Sequence, residues 1–186
     1  MATAFKALRA PLVIDDFPEE LLVKAELLPV LFPIHMVTGG LALLLVPGAL
    51  LLSPRPRWHR PVARLAALDV LLAGLTAFPV AWVEPVTVTS ALGFSAQGAL
   101  WLVLLARGIW HIRSGNRAAH RACMVLMTAA TSGAIFFRVY LALFALYGSY
   151  RFYLPFYAID AWAAWGLPTA LTALWLKRTA GFPAKA

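Results

Sequence analysis

Five runs of about twenty apolar residues, each ended by turn-forming or basic residues, constrain this chain more than any other feature. An α-helix rises 1.5 Å per residue, so roughly 20 residues cross the hydrocarbon layer of a bilayer. The runs cover about 31–53, 62–83, 91–112, 122–147 and 156–176. Apolar residues make up 62% of the chain and charged residues 13%. Soluble domains sit near 45–50% and about 25%, so this composition excludes disorder and argues against a water-soluble globule. The pattern predicts an all-α fold: a polytopic membrane helix bundle with five transmembrane helices. In lipid the backbone must satisfy its own hydrogen bonds, which helices do.

Charge orients the bundle. Lys and Arg number 16 against 8 Asp and Glu, a net +8. The excess forms no single patch of the kind that grips nucleic acid, so a nucleic-acid partner is discarded. It recurs between apolar runs: Arg55, Arg57, Arg60 and Arg64; then Arg107, Arg113, Arg117 and Arg121; then Lys177, Arg178 and Lys185. Basic loops stay cytoplasmic, so all three clusters belong on that side, with the C-terminus inside and the N-terminus outside. Residues 1–30 form an outer segment holding five acids and three basic residues, with no apolar core of a secretory signal ahead of Asp15 and Asp16. Within it, FPEELLVKAELLP predicts a short interfacial helix, with Asp16 as cap and Glu19 and Glu20 in a first turn that favours acids. The single cysteine, Cys123, rules out an internal disulfide.

Pro47 and Pro168 fall inside apolar runs and predict kinks, with Pro33 near a helix start. Gly39-Gly40 and the small residues Ala129, Ala130, Ser132, Gly133 and Ala134 predict close helix approach. Trp58, Trp82, Trp110, Tyr147, Tyr150 and Tyr153 fall near the ends of runs, as an interfacial aromatic belt should. A shift of 61 residues overlays part of the chain on itself: Leu41, Leu43 and Leu44 meet Leu102, Leu104 and Leu105, and His59-Arg60 meets His120-Arg121. Two similar hairpins related by an axis along the membrane normal would set both His-Arg pairs at one depth on the cytoplasmic side. The fifth run is then an addition to a four-helix unit. The resulting division is 1–30, an outer segment; 31–147, the four-helix unit; and 148–186, the fifth helix with a basic tail.

His35 early in the first run, WHRPVARL (His59, Arg60, Arg64), AHRACM (His120, Arg121, Met124) and Arg138 deep in the fourth together resemble a bacterial family of predicted membrane proteins, domain-of-unknown-function family 2306. The resemblance covers roughly residues 30–147. Ala63 stands where the family tends to Gly, and Cys123 where it tends to Trp. The resemblance implies a four-helix unit in the bacterial inner membrane and no particular activity.

Ionisable groups inside lipid are costly, about 2.5–3.5 kcal/mol at a helix centre on insertion scales, so each needs a partner or a purpose. On the cytoplasmic side stand His59, His120 and His111, with Arg60, Arg64, Arg107 and Arg121 around them and Asp69 further in. Two imidazoles at one depth could be axial ligands of haem b, with Arg60 and Arg121 on its propionates. Equally, His-Arg pairs at helix N-termini could bind anionic lipid headgroups. Toward the outer side His35, Gln97, Glu84, Arg138 and Asp160 converge in depth. Arg138 and Asp160 are expected to form an ion pair, and His35 beside them could hold a quinone carbonyl, a haem edge or a proton path. No phosphate-binding loop, H-E-x-x-H, G-x-S-x-G or zinc spacing occurs. Two functional classes stand. One is a cofactor-binding module of membrane electron transfer, holding haem b or a quinone; the other is a non-catalytic subunit of a larger membrane complex with partner subunits.

Overall fold

A computed structural model describes residues 19–180, and all regular structure among them is helical. The order is α1 (Glu19–Leu27), α2 (Leu31–Leu51), α3 (Pro56–Trp82), α4 (Val88–Arg113), α5 (Arg117–Thr131), α6 (Gly133–Tyr147), a 3-10 turn (Tyr150–Phe152) and α7 (Tyr153–Ala180). The short helix expected near residues 17–29 is α1; its expected cap, Asp16, lies outside the described residues. Among the described residues four helical stretches are long and apolar enough to cross a membrane: α2, α3, α4 and the α5–α6 stretch Arg117–Tyr147. The fifth run is also helical, as α7. Asp160, Pro168 and three tryptophans dilute its hydropathy, so four spans rather than five meet both conditions.

Local sequence sets the helix ends. Thr87 and Ser90 form a reciprocal capping box at the start of α4, and Asn116 Oδ1 accepts the Ala119 N–H at 3.0 Å to open α5. Gly115 supplies the positive φ (77°) that turns the chain between them. Pro47 and Pro168 sit inside helices that continue through them.

α2 packs on α3 and α5, and α4 packs on α3 and α5, which makes a four-helix ring with α3 opposite α5. The duplicated hairpins predict this arrangement. Both hairpins are closed by the same device. His59 Nδ1 meets the Ala49 carbonyl at 2.8 Å, and His120 Nδ1 meets the Gly108 carbonyl at 2.9 Å. Each imidazole at a helix start thus ties back to the end of the preceding helix. The half of the ring nearer these histidines is packed shut by Val46, Val70, Leu104, Leu105, Cys123 and Met127.

The fourth apolar run departs from the sequence expectation. It is not one helix: it breaks at Ser132, and α6 leaves the ring to pair with α7. Two side chains satisfy the carbonyls around the break. Ser132 Oγ donates to Ala129, and Gln97 Nε2 on α4 donates to Ala130 at 2.9 Å. Gly133 follows at once because there is no room for more: a Cβ there would lie 2.5 Å from the Trp165 Cβ of α7. The fifth helix is therefore not an appendage. It packs on α4, α5 and α6 and buries Ala161 and Ala164. Gly133→Val should push α7 off the break and cost about 1–3 kcal/mol, the usual range for overpacking. Thermal unfolding in detergent checks it, against Gly39→Val, whose added side chain meets open space and should be close to neutral.

Candidate functional site

Where α6 departs, the ring opens. The result is a cavity of about 760 Å³ in the half of the bundle away from His59 and His120, walled by every described helix except α5. That volume lies within the roughly 300–1,000 Å³ usual for small-molecule sites. Most of the wall is apolar or aromatic, with Phe32, Phe94, Trp101, Phe137 and Trp165 among its side chains. Gly39 faces this open space, with no atom within 4 Å of where a Cβ would stand, rather than serving the close helix approach expected of it.

Polar groups are few and come from different helices. His35 projects from α2, and its Nδ1 lies 3.2 Å from both the Ala73 carbonyl and Thr76 Oγ on α3. Gln97 reaches the wall from α4 while holding the broken helix. Arg138 stands six residues beyond the break, where its Nη1 donates to the Ala134 carbonyl at 2.8 Å. Tyr153 and Tyr157 line the α7 side, with the Tyr157 ring edge-on to Phe94 and Phe137. Lys24 lines the cavity from α1, and its ammonium donates to the Val80 and Val83 carbonyls at the end of α3, where a helix dipole favours a cation. No carboxylate lines the cavity among the described residues.

The convergence expected of His35, Gln97 and Arg138 is therefore present. Two of its expected members fall outside the cavity. Glu84 sits exposed in the turn after α3 with φ 43°. Asp160 is 2% exposed, beside the lining residues Tyr157, Ala161 and Ala164 but not lining the cavity itself. The expected Arg138–Asp160 ion pair does not form. Arg138 is turned along its own helix into the cavity, while both Asp160 oxygens are buried without a hydrogen-bond partner. Depth along two helices, which suggested the pair, says nothing about which way each side chain faces.

On the other side His59 and His120 lie at the same end of the ring, as the duplication predicts, half-buried and tied to backbone carbonyls. Arg60 and Arg121 beside them are exposed. Asp69 Oδ2 and His111 Nδ1 are buried without hydrogen-bond partners. Neither His59 nor His120 reaches the large cavity. Among the described residues no cluster of three or more His, Cys, Asp or Glu could hold a metal ion. The break at Ser132 and the cavity behind it escaped the sequence reading. Their signal was Thr131-Ser132-Gly133 in the middle of an apolar run, with a glutamine at a similar depth on a neighbouring helix.

Apolar helices of spanning length around a ligand-sized cavity that carries a few half-buried and exposed polar side chains define a helical integral membrane protein. The chain belongs to the DUF2306 family of predicted membrane proteins, whose family model matches residues 32–176. The match runs through most of α7, so the fifth helix is part of the family unit and not this chain's own addition, as the shorter resemblance implied. No curated protein and no solved structure matches the chain.

If Arg138 and Asp160 act separately, a double-mutant cycle with Arg138→Leu and Asp160→Ala should give a coupling energy below about 0.5 kcal/mol, the usual limit for independent sites. Asp160→Ala alone should not destabilise, because it removes two buried acceptors that have no donor. Thermal unfolding of the four proteins measures both.

Proposed function

We propose that this protein is an integral membrane ligand-binding module whose cavity takes a lipid-soluble molecule with an oxygen-bearing head, of the quinone class. One observation carries the reading: a cavity of about 760 Å³, mainly apolar, into which Arg138, His35 and Gln97 bring polar groups from three helices. An apolar body and tail would fill the aromatic wall, and the guanidinium of Arg138 would donate to a head-group oxygen. Such a donor is worth more in a water-poor site than in bulk solvent. Under this reading the chain serves membrane electron transfer as a binding unit, and a partner membrane subunit supplies the redox centre.

Haem b between His59 and His120 is the weaker form of the same idea. In its favour, each Nδ1 sits on a backbone carbonyl, which leaves Nε2 with a lone pair, the usual state of a metal-ligating histidine. Against it, the half of the ring nearer these imidazoles is closely packed. A Cβ on Gly108 would already lie 2.4 Å from Met124 Cε, so the residues present do not fit a haem without repacking. Exposed Arg60 and Arg121 at the starts of α3 and α5 better suit anionic lipid headgroups at the membrane surface, the contact a non-catalytic accessory subunit would also make. The positive-inside rule puts this arginine end in the cytoplasm of a bacterial inner membrane, the C-terminus inside, and the cavity in the outer half.

The test is a titration of the purified protein in detergent with decyl-benzoquinone, read by tryptophan fluorescence, since Trp101 and Trp165 line the cavity. Saturable quenching is expected, with apparent affinity reduced at least about tenfold by Gly39→Phe, which places a ring in the open space. Quenching that never saturates, or that Gly39→Phe leaves unchanged, overturns the reading. A Soret band lost on His59→Ala or His120→Ala would move the cofactor to the other half of the bundle.

A further inference from the structure

The tautomer of His35 can be worked out from its neighbours. Its Nδ1 has two partners on α3, the Ala73 carbonyl and Thr76 Oγ, each at 3.2 Å. A carbonyl only accepts. The Thr76 hydroxyl proton is already committed, because Oγ donates to the Leu72 carbonyl at 2.7 Å, so toward His35 this oxygen also accepts. Both neighbours therefore require a proton on Nδ1. In the neutral ring Nε2 is then bare, with Nδ1 taken up by α3, and His35 is one of the residues that line the cavity. The cavity thus presents a strong donor, Arg138, and an acceptor, His35 Nε2, from two helices.

A quinone offers only oxygen lone pairs. Its carbonyl suits Arg138 but would face the Nε2 lone pair without a proton between them. A quinol offers hydroxyls, which donate as well as accept. We propose that His35 makes the site selective for the reduced ligand: Nε2 accepts the hydrogen bond of a quinol hydroxyl while Arg138 donates to the other oxygen. The inference rests on the quinone-class reading above and adds which redox form is held. Among the described residues the other charged and titratable groups around the cavity are Lys24, Arg138, Tyr153 and Tyr157, with Asp160 buried beside its wall.

The experiment compares decyl-benzoquinol with decyl-benzoquinone under anaerobic conditions, using the full chain in detergent. The wild type should bind the quinol about tenfold more tightly, the order expected when one hydrogen bond is made in one form and blocked in the other. His35→Leu should bring the ratio close to one by weakening quinol binding. Thr76→Val, which leaves the Ala73 carbonyl in place, should keep the preference. Nitrogen-15 shifts of the wild-type imidazole give a reading independent of any variant: Nδ1 protonated and Nε2 bare are expected. Equal affinities, a preference for the quinone, a ratio unchanged in His35→Leu, or a proton on Nε2 would each overturn the assignment while leaving a quinone-class site standing. Binding of neither form removes the site reading itself, and the inference with it.

Discussion

The hydrogen bond from Gln97 to the Ala130 carbonyl, with the helix break it supports, is the contact on which the rest of the structure turns. A helix interrupted within the bilayer leaves backbone groups without partners, and hydrocarbon supplies none, so breaks persist only where protein groups satisfy them. Here Gln97 answers from α4 and Ser132 from the break itself. The consequence is geometric. α5 stays in the ring and closes one half, while α6 swings out to α7 and leaves the other half open.

The two halves of the bundle divide the work. The half with the arginine loops is packed and closed by matched histidine ties, which hold helix ends together. The other half sacrifices packing for volume, and its polar groups sit on helices already positioned by that packed end. Lys24 draws α1 to the end of α3 above the open half. Few polar groups line the cavity, and among the described residues no carboxylate is one of them; Asp160 lies buried beside the wall.

Much of this was legible from residues alone. The length of the apolar runs gave the helices, and the arginine clusters indicate which ends share a side. The 61-residue repeat placed His59 level with His120, and depth along the helices brought His35, Gln97 and Arg138 together. Facing was not legible. Asp160 and Arg138 were close in depth, yet one is enclosed beside Ala161 and the other opens into the cavity. Helix rotation depends on which neighbours pack where, and an apolar run surrounded by lipid on one side and protein on the other carries little periodicity to reveal it.

What residue order by itself determined is therefore the solvent, the helices and their alternation, since these follow from the cost of exposing backbone and charge to hydrocarbon. Tertiary structure alone decided that the fourth run breaks, that the fifth helix becomes a cavity wall, and that His35 sets its Nδ1 against α3. Each of those depends on a contact between residues distant in the chain: Gln97 with Ala130, Gly133 with Trp165, and His35 with Ala73 and Thr76. Such contacts exist only after the helices have met.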